Sequence, residues 1–196
     1  MENIKILSLD ASTTTIGLAV LLYQDGKINL IHLEHFKPNK ELEIFEMLNS
    51  VRNYIIDKIK EFQPDEVCLE DIVLFMKGHS TAQTISSLAI LNRTVGLAVY
   101  NQLGKSPNLL SVMKIRHAIK KNKIFPKKEE IPDLVASHLK IEFPWMYNKK
   151  GKPLVENFDR ADGIACGLAY LKLKEKEIEK TKKQLQNKRN KSVRNV

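Results

Sequence analysis

The pattern of apolar and polar positions opens with residues 4–10, Ile-Lys-Ile-Leu-Ser-Leu-Asp, an alternation rich in branched side chains that reads as a strand ending at Asp10. A hydroxyl-rich turn, Ala11 to Thr15, follows. Two further apolar runs, residues 16–23 and 28–36, are joined around Gln24-Asp25-Gly26-Lys27, where Asp-Gly is a strong hairpin signal. From Glu41 to Phe62 the apolar positions Phe45, Leu48, Val51, Ile55, Ile59 and Phe62 recur with the period of an amphipathic helix, stopped by Pro64. Glu66 to Glu70 is then a short strand, and a strand that follows a helix implies a crossover placing it parallel to an earlier strand.

Thr81 to Gln102 reads as a long helix with small residues among its apolar ones, ended by Gly104 and Pro107, and Asn108 to Val112 as a fifth strand. Helical segments follow at Lys114–Lys121 and Lys128–Ile141, interrupted by Pro126. Phe143 to Pro153 is a loop, and a final helix starts near Asn157, a good N-cap. This order predicts an α/β protein with a mixed five-stranded sheet, three antiparallel strands and then parallel ones, flanked by helices. With 196 residues the chain fits one domain over residues 1–172, with a basic extension over 173–196 that is partly helical or disordered.

Composition narrows the class. The longest apolar stretches fall far short of the ~18 residues of a membrane span, so a soluble, cytoplasmic protein with no membrane partner is expected. Cys68 and Cys166 sit in apolar sequence with no Cys/His cluster at zinc spacing, which reads as two reduced core thiols. The net charge of +9 is uneven: Lys172 to Val196 holds ten Lys/Arg and three Glu, so most of the excess is a tail. A second basic run, Lys114 to Lys128, contains no acid. Either a solvated surface or a polyanionic partner would explain these runs.

The acidic residues carry the chemistry. Asp10 closes the first strand and Glu70 the strand after the first helix, so as parallel neighbours they reach the same carboxyl edge of the sheet, where open α/β sheets place ligands. Asp159 and Asp162, spaced i,i+3 in the first turn of the last helix, share one face. Taken singly, each has a bland explanation: a helix N-terminus favours Asp159 or Asp162, and Asp10 could cap the turn at Ser12 and Thr13. Jointly they form a four-carboxylate cluster, which needs a hard divalent cation to relieve its repulsion. Oxygen ligands favour Mg2+, with Mn2+ as a substitute, and two such ions can activate water against a phosphodiester.

These residues stand in motifs that resemble those of the RuvC Holliday-junction resolvases, in the RNase H-like superfamily. Ser8-Leu9-Asp10-Ala11-Ser12-Thr13-Thr14-Thr15-Ile16-Gly17 is similar to the family's first strand, catalytic Asp and polar turn. Gln63 to Glu70 resembles the segment delivering the catalytic Glu, and Phe158-Asp159-Arg160-Ala161-Asp162-Gly163 the closing D-x-x-D helix start. Spanning about residues 4–172, the resemblance implies an RNase H-like fold and a homodimer that nicks four-way DNA junctions symmetrically in recombination and repair. It implies two Mg2+ held by Asp10, Glu70, Asp159 and Asp162. Residues 72–80, with Phe75, Met76 and Lys77, match the junction-contacting loop in placement, and Phe75 is either a wedge between base steps or a buried or interface aromatic. Lys127 or Lys128 matches a basic residue near the scissile phosphate. Thr13, Lys114 and Arg116 complete the candidate nucleic-acid contacts. The Phe143–Pro153 loop and the residues after Lys172 lie beyond the family pattern.

Three other functions compete. A nuclease acting on RNA/DNA hybrids or ribosomal RNA precursors would use the same metal chemistry and differ in 2′-hydroxyl contacts. An actin-like ATPase or sugar kinase needs a second phosphate loop that this chain lacks. A noncatalytic nucleic-acid binder would have no use for all four carboxylates.

Overall fold

A computed structural model describes residues 3–72, 81–121 and 123–193. Phe75, Met76, Lys77 and His79 therefore lie outside the described residues. Five strands, β1 (Ile4–Ala11), β2 (Ile16–Gln24), β3 (Lys27–Phe36), β4 (Glu66–Asp71) and β5 (Asn108–Ser111), form one sheet in the order β3-β2-β1-β4-β5. The first three run antiparallel, and β4 and β5 join parallel to β1. The hairpin between β2 and β3 turns on Asp25 and Gly26, both at positive φ, as a two-residue hairpin with right-handed strand twist requires.

Both faces of the sheet are covered, which is why β1 and β2 are apolar almost throughout. Leu7, Leu9, Leu18, Val20, Val67 and Leu69 point to one side, under α1 (Ile44–Phe62) and α2 (Ala82–Leu103). Ile4, Ile6, Ala19, Leu21 and Cys68 point to the other. There they meet α3 (Val112–Ile119), α4 (Ile131–Leu139) and α5 (Glu156–Val193). Cys68 and Cys166 are free and buried in this second layer. No helix of the described residues is long and apolar enough to cross a membrane.

Several boundaries differ from expectation for local reasons. The periodic helix begins at Ile44, not Glu41, and Phe45 lies 80% exposed while Met47, Leu48 and Val51 turn inward. Strand β5 stops at Ser111 because the Ser111 hydroxyl caps α3, accepting from the Lys114 amide. The segment from Lys128 opens as one 3-10 turn and becomes helical only at Ile131. Helix α5 starts at Glu156, one residue before the expected cap, and continues through the charged segment to Val193, a stretch of Lys, Glu, Gln and Leu that favours helix.

Candidate active site

The alternation along β1 directs Ile4, Ile6, Ser8 and Asp10 toward α5, and that along β4 does the same for Cys68 and Glu70. Ser8 pairs with Cys68 in the parallel register, so Asp10 and Glu70 emerge side by side at the carboxyl ends of their strands. The turn after Asp10 is closed by Ser12. Its hydroxyl accepts the Thr15 amide at 3.0 Å and donates to the Thr15 carbonyl at 2.8 Å, so capping of this turn does not fall to Asp10.

Across the β1–β2 pair, Asp10 lies opposite Gly17. The first turn of α5 rests on that glycine: a Cβ there would stand 1.9 Å from the Asp159 carbonyl oxygen. Gly163 and Gly167 continue the close contact along Gly17, Leu21 and Ser8. With the helix backbone this low on the sheet, carboxylate oxygens of Asp10, Asp159 and Asp162 all lie within 4.8 Å of one another. Glu70 lines the same cleft of about 400 Å³, as do Arg116 and Lys128.

The electrostatics follow from crowding. Burial, then the charges of Glu70, Asp162 and Asp159, hold the Asp10 carboxyl well above its ordinary range. Glu70 is pushed up to about 7 by burial and by Asp162, with Arg116 and Lys128 opposing. Asp162 rises to about 6, again chiefly by burial, partly offset by Lys128 and Arg116. The Lys128 ammonium donates to Asp159 Oδ1 at 2.9 Å and lies 3.6 Å from Asp162 Oδ2. Burial pulls its pKa down, but the hydrogen bond to Asp159 and the surrounding carboxylates outweigh that and leave it raised. Three acids that resist ionising side by side, with only oxygen donors, fit a hard divalent cation.

Of the other candidates, Arg116 lines the cleft and its guanidinium donates to the Pro126 carbonyl. Between Lys127 and Lys128, it is Lys128 that reaches the carboxylates; Lys127 is exposed and its amide donates to Glu130. Thr13 lines a separate hollow with Lys40 and Thr84, and Lys114 is exposed on α3. Phe75 and Lys77 fall in the undescribed segment.

Three contributors escape a reading of the sequence. Gly17 looks like an ordinary strand residue. Asn92, a lone amide on the buried face of α2, donates to the Glu70 carbonyl at 2.8 Å, fixing the end of β4; its polar character in an apolar stripe was the available signal. Asn157 is not an N-cap. Fully buried, it accepts from the Met146 amide and from Arg160 and donates to the carbonyls of Met146 and Leu154, buckling the preceding loop onto α5.

No family model matches the chain. The crossover junction endodeoxyribonuclease RuvC of Christiangramia forsetii is 24% identical over 167 residues, covering 84% of this chain and 78% of that protein. Among solved structures, RuvC of T. thermophilus in complex with a Holliday junction substrate superposes with a TM-score of 0.66 at 19% identity, over 88% of this chain and 96% of that one. The yeast mitochondrial Holliday junction resolvase gives 0.61 at 14% identity, over 94% and 85%. The chain is thus similar to RuvC over most of its length, and it shares the fold of these resolvases.

Proposed function

We propose that this protein is a structure-specific endonuclease that nicks four-way DNA junctions symmetrically with two Mg2+ per site. The observation that carries the reading is the convergence of Asp10, Asp159 and Asp162 oxygens within 4.8 Å at the sheet edge, beside Glu70, in a chain similar to RuvC. Asp10, Glu70, Asp159 and Asp162 would hold the ions. When bound, Mg2+ supplies charge that favours attack of water on phosphorus and departure of the 3′ oxygen.

The chain's own residues do the rest. Glu70, with its pKa near 7, would be held ionised by cations in the cleft, and the same positive charge would offset the crowding that raises Asp10 and Asp162. Lys128 keeps its proton at Nζ throughout and, at the mouth of the cleft, presents positive charge to a phosphate oxygen. Arg116 provides a second cation on the same wall.

Symmetric nicking needs two sites. The exposed side of α2 carries Ile90, Leu97 and Tyr100, spaced seven and three residues apart on one helix face with the ion-paired Arg93 between them, a largely apolar stripe of the kind that pairs helices. This stripe supports a homodimer, and a substrate of chromosomal or phage DNA supports a cytoplasmic location.

The test is cleavage of a labelled four-way junction beside duplex, fork and RNA/DNA hybrid, with Mg2+ and with EDTA. Paired symmetric nicks confined to the junction and abolished by EDTA are expected. Cutting of the hybrid alone would overturn the junction assignment, and no cutting of any substrate would overturn the enzyme.

A further inference from the structure

The segment between α4 and α5 contributes no carboxylate to the cleft, yet it is built with care. Its base is anchored in the protein interior: Phe143 is buried, Trp145 meets Phe143 and Phe158 edge-on, and the Arg160 guanidinium donates to the Pro144 carbonyl at 2.8 Å. Its two arms are then zipped. Leu154 donates to Met146, Tyr147 and Pro153 form an antiparallel bridge, and Asn148 and Lys152 join through a backbone bond of 2.9 Å.

The tip is a closed turn. The Asn148 side-chain oxygen accepts both the Lys150 and Lys152 amides, at 2.8 and 3.1 Å, and Gly151, at φ 72°, donates back to the Asn148 carbonyl. Around this turn Lys149, Lys150 and Lys152 are all exposed. Some lysines elsewhere pair with acids, Lys37 with Glu156, Lys58 with Glu34 and Glu61, Lys105 with Glu66, Lys128 with Asp159, while others such as Lys114 and Lys140 form no ion pair among the described residues. Among the described residues no carboxylate forms an ion pair with any of the three lysines of this turn. Three like charges held together without a counter-charge are unfavourable in the free protein, and an anion would relieve them.

Position says which anion. The turn leads directly into the helix start that carries Asp159 and Asp162, and Asn157 and Arg160 tie its base to that same helical turn. The lysines therefore sit on a segment fastened to the helix turn that carries two of the cleft's carboxylates. We propose that the Lys149–Lys152 turn is a preformed clamp on the phosphate backbone of the double-stranded arm adjoining the nicked strand. The clamp rests on the reading of this protein as a junction nuclease. Its lysines grip without reading sequence, and its rigid attachment to α5 sets the distance between the gripped phosphates and the carboxylates.

The test compares the intact chain with a variant carrying K149Q, K150Q and K152Q. Affinity for a fluorescent four-way junction and for a plain duplex is measured across a salt series. Loss of two to three phosphate contacts is expected to lower the slope of log affinity against log salt by about 2–3 and to weaken binding roughly tenfold or more near physiological salt. The rise in melting temperature on adding Mg2+ should stay unchanged, because the carboxylate cluster is untouched. An unchanged slope and affinity in the variant, with normal binding by the parent, would overturn the clamp alone. A parent that binds no DNA would overturn the nuclease reading beneath it. Loss of binding to phosphatidylserine vesicles with DNA binding intact would assign the turn to a lipid surface and overturn the clamp as well.

Discussion

Gly17 on β2 lies so close beneath Asp159 on α5 that a single added methyl carbon would stand 1.9 Å from the Asp159 carbonyl oxygen. The obstacle is backbone, not the end of a flexible side chain, so the helix itself must lift. A lift of about 1 Å at this point moves Asp159 and Asp162 away from Asp10. Gly17→Ala is therefore expected to lower stability by about 1–3 kcal/mol, the usual range for overpacking. It should also lower junction cleavage by ~100-fold, with Mg2+ titration of the melting temperature shifted to higher concentration. Equal cleavage at saturating Mg2+ in the variant would show that the seat of α5 does not set the cluster.

Glu70→Gln separates the two consequences of crowding. It removes one of the four proposed metal ligands, so junction binding should persist while cutting falls by ~1000-fold or more; Asp10→Asn should behave alike. It also removes a charge that the fold resists. Glu70 titrates near 7 in the folded chain against an ordinary 4.5, Asp162 near 6, and Asp10 well above 3.8. Groups whose pKa is raised by folding lend stability below their ordinary pKa and lose it as pH rises through the folded value. The metal-free protein should thus lose on the order of 1–3 kcal/mol between pH 4.5 and 7.5, with one pKa unit worth about 1.4 kcal/mol. Mg2+ should restore that loss above pH 7, and Glu70→Gln should flatten the profile. Melting curves in EDTA and in Mg2+ across this range decide it; metal-free stability that rises over the window would refute the crowding.

Much of this architecture is written locally. The alternation in residues 4–10 and 66–70 determines which face each side chain takes, and that alone aims Asp10 and Glu70 at one helix. Asp25-Gly26 announces its hairpin because few residues tolerate positive φ there. What the sequence hides are relations between distant positions. Nothing near Gly17 tells that a helix start some 140 residues later will press on it. Ser12, not Thr13, closes the turn after Asp10, a choice among neighbouring hydroxyls made by the geometry of the strands. Phe45 satisfies the helical period and still faces solvent, in the first turn of a helix that begins only one residue earlier.

Asn157 shows the same limit with an energetic signature. As an N-cap, its replacement by Ala would cost about 1 kcal/mol. As the buried partner of two groups of Met146, of the Leu154 carbonyl and of Arg160, it leaves several polar atoms unpaired when removed. Each unsatisfied buried group costs about 1–3 kcal/mol, so Asn157→Ala is expected to destabilise by at least ~3 kcal/mol. Equilibrium urea unfolding measures it directly. A loss near 1 kcal/mol would return Asn157 to an ordinary cap and leave the loop before α5 without its buckle.

The end of α5 divides at a point that charge counting misses. Lys172 donates to the Ala118 carbonyl and Lys174 to the Tyr170 hydroxyl at 3.0 Å, so both belong to the folded body. From Lys180 onward the sequence holds seven Lys/Arg and no acid. Removing residues 180–196 should therefore leave the melting temperature nearly unchanged while weakening junction binding and lowering its salt slope. Removing residues 174–196 should also destabilise the body, since the contacts of Lys174 with Glu66 and Tyr170 go with it. Because the tail and the Lys149–Lys152 turn leave the protein at different places, their losses should add when combined. If the shorter deletion leaves the salt slope untouched, the distal charges hold no phosphate, and the basic face of the protein ends with its folded body.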